Sequence, residues 1–280
     1  MTLDELFPDE DYRFHFRFER GNPRDFFGET NAHGRLMAER KQWIENSPGR
    51  CVVVLPECAP LLEETSEFAR QWRRLKQEPV PSGDEAKDRT ASTSTATQCA
   101  DLGCHWEPDF LLMKLEMAGQ VRLVGGCVCF PSSWSLEEKI GQPIEVVHGV
   151  VPGLNSAIGS QIQGFLAKLR PGVAWLRNNW GLTRSAELNQ HPARKLPRLD
   201  QTVTVKEVWL RLEHQALIAL PLSNGVLFGI RLEVRPFSEV CQDRMLAARF
   251  SRALQTMPES MAVYKGLADA RDKLIQLLQS

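Results

Sequence analysis

His148 stands inside an apolar run, Ile144 to Val151, whose only other charged or polar side chain is Glu145. An imidazole there has two uses: a satisfied core histidine, or a metal ligand walled by Ile144, Val146, Val147, Val150 and Val151. The residue types alone leave both open. A second cluster is Arg211-Leu212-Glu213-His214-Gln215. On an extended strand Arg211, Glu213 and Gln215 share one face, and Leu212 and His214 share the other. A carboxylate on such a face can hold a cation or move a proton. It can equally pair across strands, with Arg231 or Arg235 as partner.

The remaining candidates are weaker. Cys99 to His105 ends in Cys104-His105, but four residues separate the cysteines where covalent haem attachment needs two. No further ligands follow at zinc spacing. His15 alternates with Arg13 and Arg17 and reads as part of a solvated face, while His33 and His191 sit in Gly- or Pro-flanked, loop-like sequence.

The elements that must position these groups read mostly as hairpins. Val121 to Phe130 suits a strand buried on both faces, and Phe110 to Met117 precedes it across Ala118-Gly119-Gln120. Thr202 to Leu220 and Val226 to Val234 form a second pair, turned at Ser223-Asn224-Gly225. Tyr12 to Glu19 alternates Phe14, Phe16 and Phe18 with polar residues, a period-two strand signal. Cys51 to Leu55 is a short strand.

Helices are expected over Arg35 to Glu45, Leu61 to Lys76 and Leu154 to Leu169, then over Glu239 to Thr256 and Gly266 to Leu278. Ser135 and Glu138 fit a capping box opening a short helix that Gly141 and Pro143 end. Residues 78–100 are polar, with Pro79, Pro81 and a Ser/Thr tract, and read as a disordered surface loop. Hairpins with helices in the outer thirds make an α+β chain on an antiparallel sheet.

Composition narrows the classes. A net charge of -1 gives no pull toward nucleic acid or anionic lipid. No apolar run approaches the ~20 residues of a membrane helix, and the acidic N-terminus lacks a signal-peptide pattern. Seven cysteines in a chain of this size read as reduced thiols and a cytoplasmic location. No glycine-rich phosphate loop precedes a helix, so no flavin or nicotinamide domain is expected.

The order Val121–Phe130 strand, Phe130-Pro131-Ser132-Ser133-Trp134, Glu137 to Gly141, then Val146 to Gly153 resembles the signature of the DUF3445 family, which includes the haem-dependent oxidative N-demethylase α subunit. The likeness continues through Arg177-Asn178-Asn179-Trp180, Leu210 to Gln215 and Leu227 to Arg231, and it reaches upstream to Phe14-His15-Phe16 and Arg35 to Trp43. It implies one PAS-like haem-binding domain over 1–280, a curved antiparallel sheet with flanking helices and N- and C-terminal helical extensions.

It further implies His148 as axial ligand to haem b, and Arg177, Asn179 and Trp180 as cofactor-binding. Arg177 would meet a propionate or position substrate, or else it bridges surface loops. Glu213, His214 and Gln215 would be catalytic, with Glu213 binding a protonated secondary amine such as dimethylamine. Electrons would come from separate flavin/iron–sulfur reductase subunits, and the products would be a primary amine and formaldehyde. The family more often reads Glu-Arg-Gln where this chain has His214, which leaves substrate and turnover open. A haem-binding sensor or carrier is the rival reading.

Overall fold

The computed structural model describes residues 6–74 and 94–279. Its strands are β1 (Glu19–Gly21), β2 (Val52–Val54), β3 (Asp109–Leu115), β4 (Val121–Cys127), β5 (Ala174–Thr183), β6 (Trp209–Leu220) and β7 (Gly225–Pro236). They form one open sheet in the order β1-β5-β6-β7-β3-β4-β2, and every strand pairing is antiparallel. The helices are α1 (Pro23–Phe26), α2 (His33–Asn46), α3 (Pro48–Cys51), α4 (Ala59–Arg74), α5 (Thr95–Gly103), α6 (Leu136–Lys139), α7 (Ile144–Gly149), α8 (Leu154–Leu166), α9 (Phe237–Gln242), α10 (Arg244–Thr256), α11 (Glu259–Tyr264) and α12 (Arg271–Gln279). The α+β expectation holds, with an antiparallel sheet at its centre.

Strand alternation divides the core. Trp175, Leu217, Phe228 and Ile230 point to one face and pack with Ile158, Ile162 and Leu166 of α8. On the opposite face, Ala216, Ile218 and Leu220 meet Leu61, Leu62 and Cys99 under α4 and α5. Further along that face, Trp180, Leu210 and Leu212 meet Phe250, Leu254 and Leu274 under α10 and α12. The long β6–β7 pair therefore carries core on both sides. Its turn has Asn224 at φ 53, the left-handed conformation this position requires. Glu64 of α4 closes it by accepting from Leu222 N and Ser223 N.

A buried ion pair joins helices to sheet. Arg40 of α2 donates to Asp109 Oδ1 at 2.6 Å and to Gly103 O at 2.9 Å. Asp109 also accepts from Cys129 N and Phe130 N, at 2.7 and 2.9 Å. The pair fixes α2, the end of α5, β3 and the chain leaving β4 to one another.

Several expectations are corrected. Residues 12–18 are not a strand; only Glu19–Gly21 pairs with β5. The phenylalanines before it nevertheless pack together, Phe18 stacking on Phe165 at 4.3 Å. Of the loop expected over 78–100, 78–93 lies outside the described residues. From Ser94 the chain is helical: Ser94 Oγ caps Thr97 N and Cys99 is fully buried. One inward cysteine in a polar tract gave no apolar stripe to detect.

The helix expected over Glu239 to Thr256 breaks at Asp243, whose carboxylate caps Met245 N and Leu246 N. The strand expected from Thr202 starts only at Trp209, after a single turn of tighter helix at Val205–Glu207. Ser135 does precede α6, but without a side-chain cap bond.

Candidate functional site

The site is built on β5 and β6. Their register sets Arg177 opposite Gln215 and Asn179 opposite Glu213. All four point to the face covered by α8, because they lie an even number of residues from Trp175 and Leu217. Glu213 is 9% exposed. Its Oε2 accepts from Gln215 Nε2 at 2.9 Å and from Asn179 Nδ2 at 3.2 Å. Among the described residues no hydrogen bond reaches Oε1. The cross-strand alternative is absent: Arg231 bonds Glu107, Phe26 O and Gly28 O, and Arg235 bonds Glu233.

Arg211, next on the same face, has a different task. It is buried and donates to Ser132 Oγ, Phe130 O and Leu188 O, at 2.7, 2.8 and 2.6 Å. These bonds anchor two loops to β6 beside Glu213.

α7 carries His148, whose pKa Arg177 helps to lower. Gly141 and Gly153, both at positive φ, bracket it, and Pro143 starts it. At helical spacing His148 shares its side with Ile144 and Val151, which join the neighbouring cores. Val146 and Val150 point away and are 54% and 53% exposed. The apolar wall expected from all five residues thus shrinks to Ile144 and Val151 on the histidine's side, because α7 is a helix and divides the run. The ring is half-buried and makes no hydrogen bond among the described residues. Burial and the nearby Arg177 lower its pKa to about 4, against a smaller opposing effect of Glu145.

A sign follows for pH. The folded imidazole titrates below the unfolded one, so between about 4 and 6.5 the unfolded chain binds more protons. Stability of the haem-free protein should therefore rise with pH across that window, the penalty being full below about 4. Urea melts of wild type and His148→Leu check it: the variant should lose that rise.

Arg177 keeps some solvent contact, yet burial lowers its pKa while Glu213 opposes the shift. Its guanidinium lies 5.9 Å from the Phe18 ring centroid, and no carboxylate is within ion-pair distance among the described residues. Tyr264 ends α11, and Lys265, which follows it, donates from Nζ to Trp180 O on β5 at 2.6 Å. Burial raises the pKa of Tyr264, with Glu213 adding to the shift. Tyr12, the chain's other tyrosine, is pushed up to about 12 by burial and Tyr264.

The sequence reading missed Tyr264 and Lys265. They lie some fifty residues beyond Glu213 at a helix end, and no local pattern marks them.

Trp180 and His214 do not join this group, because strand alternation turns them to the opposite face. Trp180 is core, 5.1 Å from Phe7 and 4.9 Å from Phe250 between ring centroids. His214 bonds Asn178 Oδ1 at 2.9 Å and Glu233 Oε2 at 3.0 Å. His191, expected at the surface, is 9% exposed with Nε2 2.9 Å from Glu137 Oε1. Cys99 and Cys104 lie on and just after α5, away from this face.

One open antiparallel sheet with helices packed on both faces defines an α+β protein. Residues 83–275 match the model of the haem-dependent oxidative N-demethylase, alpha subunit-like family, and the chain belongs to that family. The family's name carries haem dependence, oxidative N-demethylation and membership of a larger assembly. Among the described residues no helix is long and apolar enough to cross a membrane.

Proposed function

We propose that this chain is the haem-holding subunit of an oxidative N-demethylase acting on a small secondary amine, dimethylamine being the simplest. The observation that supports the reading is that Arg177 and Glu213 share one face of the β5–β6 pair, with Arg177 close enough to His148 to help lower its pKa.

The residues fit haem. His148 stays uncharged at neutral pH, so its lone pair is free for iron. Arg177 has the charge and planar fork that suit a propionate. Glu145 Oε2, three residues before His148, is buried without a partner, a polar group to be satisfied once the site fills. Haem, when bound, supplies the iron at which O₂ is reduced. A haem b held without covalent attachment agrees with the four-residue spacing of Cys99 and Cys104.

Glu213 does the substrate's part. Its open Oε1 takes the protonated amine, while Asn179 and Gln215 keep Oε2 from turning. The overall change balances as secondary methylamine, O₂, two electrons and two protons giving primary amine, formaldehyde and water. The electrons come from separate reductase subunits, flavin and iron–sulfur in type. The same reading takes the sheet as a PAS-like scaffold and the protein as cytoplasmic.

The test supplies dithionite-reduced, haem-loaded protein with O₂ and dimethylamine and assays formaldehyde. Production no faster than with free haem would overturn the enzyme reading. Glu213→Gln should lower kcat/KM about 10–100-fold, the worth of one charge-assisted hydrogen bond. Its Soret spectrum should be unchanged.

A further inference from the structure

Several surface arginines are matched by acids: Arg70 bonds Glu67, Arg184 bonds Asp200 and Glu207, and Arg252 bonds Asp9 and Asp11. Arg17, Arg20, Lys168 and Arg170 are not. All are exposed, and none has a carboxylate within ion-pair distance among the described residues. Residues 16–21 and 167–173 together hold these cations and a single acid, Glu19. The chain as a whole carries 34 Lys and Arg against 35 Asp and Glu, so composition does not produce such an excess.

The fold draws the cations together around one aromatic cluster. Arg17 lies between Phe16 and Phe18, whose ring centroids stand 5.6 and 4.3 Å from that of Phe165 near the end of α8. Arg20 is on β1 opposite Trp175 of β5, and its guanidinium is 5.3 Å from the indole centroid. Lys168 and Arg170 are in the connection that leaves α8, turns at Gly172 with φ 77 and enters β5 at Ala174, opposite Gly21. Trp175 is 5.5 Å from Phe165 and completes the cluster.

β1 is the edge of the sheet, and one exposed charge is enough to guard a strand of three residues. Cations converging from three separate stretches exceed that task, and their mutual repulsion opposes folding. They also have a particular position. The Phe18 ring has the Arg177 guanidinium 5.9 Å from its centroid, so one aromatic layer separates the exposed cations from the arginine suited to a propionate. A thiolate-ligated iron–sulfur cluster is an anion, and a donor domain with an acidic face around it is complementary to this surface.

We propose that Arg17, Arg20, Lys168 and Arg170 form the docking surface for the electron-donating partner, whose contact face is acidic and carries an iron–sulfur cluster. The proposal rests on the reading of this chain as the haem-holding subunit, and it fixes the side on which electrons enter. One electron leaves the reduced cluster and converts ferric haem to ferrous haem.

A plant-type [2Fe–2S] ferredoxin, an acidic protein, is the probe. Calorimetry measures its binding to haem-loaded wild type, Arg17→Glu/Lys168→Glu and Lys206→Glu. Lys206 is an exposed control that precedes Trp209, the partner of Thr183 at the far end of β5. At low ionic strength the double variant should bind at least about tenfold more weakly than wild type, and Lys206→Glu should match wild type. The gap should close in ~1 M salt, where the Debye length is about 3 Å against about 30 Å at ~0.01 M. Reduced ferredoxin should reduce the haem of the double variant more slowly by a similar factor, while dithionite reduces both proteins alike. The thermal midpoints should agree, since the substituted side chains are exposed.

Ferredoxin that binds wild type no more tightly than the double variant would overturn the proposal, and so would equal weakening by Lys206→Glu. Loss of Soret absorbance in the double variant would assign the cations to the haem propionates and overturn it as well. Binding of wild type, and not of the double variant, to phosphatidylserine vesicles would give the surface to a lipid instead. A wild type without a Soret band ends the haem-subunit reading and this electron entry with it. Equal ferredoxin binding beside a normal Soret band ends the docking surface alone.

Discussion

His148→Ala is expected to yield a folded protein that does not retain haem. The ring makes no hydrogen bond among the described residues and is only half-buried, so its removal leaves no polar group stranded in a core. What it removes is the imidazole whose pKa Arg177 helps to lower. Losing a partner that merely orients a metal ligand costs ~10–100-fold in affinity, and losing the ligand itself should exceed that. Two signals report it: the Soret band of the expressed protein, and quenching of tryptophan fluorescence when haem is titrated in. Neither should appear in the variant, while its thermal midpoint stays close to that of haem-free wild type. Adding free imidazole should restore part of the Soret band by filling the vacated position. An unchanged Soret band in the variant would move the iron ligand elsewhere and end the assignment.

The same site shows how far the sequence could be read. Alternation alone put Glu213 and Gln215 on one face and His214 on the other, and the β5–β6 register agrees. β5 itself was not legible, because Arg177-Asn178-Asn179 and Gly181 are poor strand formers and the strand is ordered by its long pairing with β6. α7 was ambiguous for the opposite reason. Its valines and isoleucine favour extended chain, yet Pro143 and the left-handed glycines on either side close it into a helix. Only that helix separates His148 from Val146 and Val150. Tyr12, Tyr264 and Lys265 come together across most of the chain's length, and no short-range pattern could have joined them.

Register also bears on His214, the position at which the resemblance implies an arginine. His214 lies on the face away from Glu213, where Asn178 and Glu233 engage both ring nitrogens. Glu233 is held down to about 2 mainly by His214, with burial opposing and Arg235 assisting. A change at position 214 therefore alters a polar patch between two cores of the opposite face, and leaves Oε1 of Glu213 as open as before. The departure weakens the enzyme reading less than the linear motif suggests.

Arg40→Met is expected to be the most destabilising single substitution outside the site. Arg40 is fully buried and Asp109 is 1% exposed. Removing the cation leaves a carboxylate in the core with two backbone N–H groups, and leaves Gly103 O without its donor. Breaking a buried pair in this way costs about 3–5 kcal/mol. Lys41 and Glu45 on the same helix are 67% and 62% exposed at 3.8 Å. Lys41→Met should therefore move stability by no more than ~0.5 kcal/mol. Urea melts of the two variants check the contrast, and pairing Arg40→Met with Asp109→Asn should recover part of the loss, since the stranded charge goes while the amide oxygen still accepts from the backbone.

The effect should also reach the site. Asp109 fixes the backbone at Cys129 and Phe130, Phe130 O accepts from Arg211, and Arg211 precedes Glu213 by two residues on the same strand. At temperatures where Arg40→Met remains folded, its binding of small amines should weaken while Lys41→Met matches wild type. Equal binding in the two variants would confine the ion pair's role to stability.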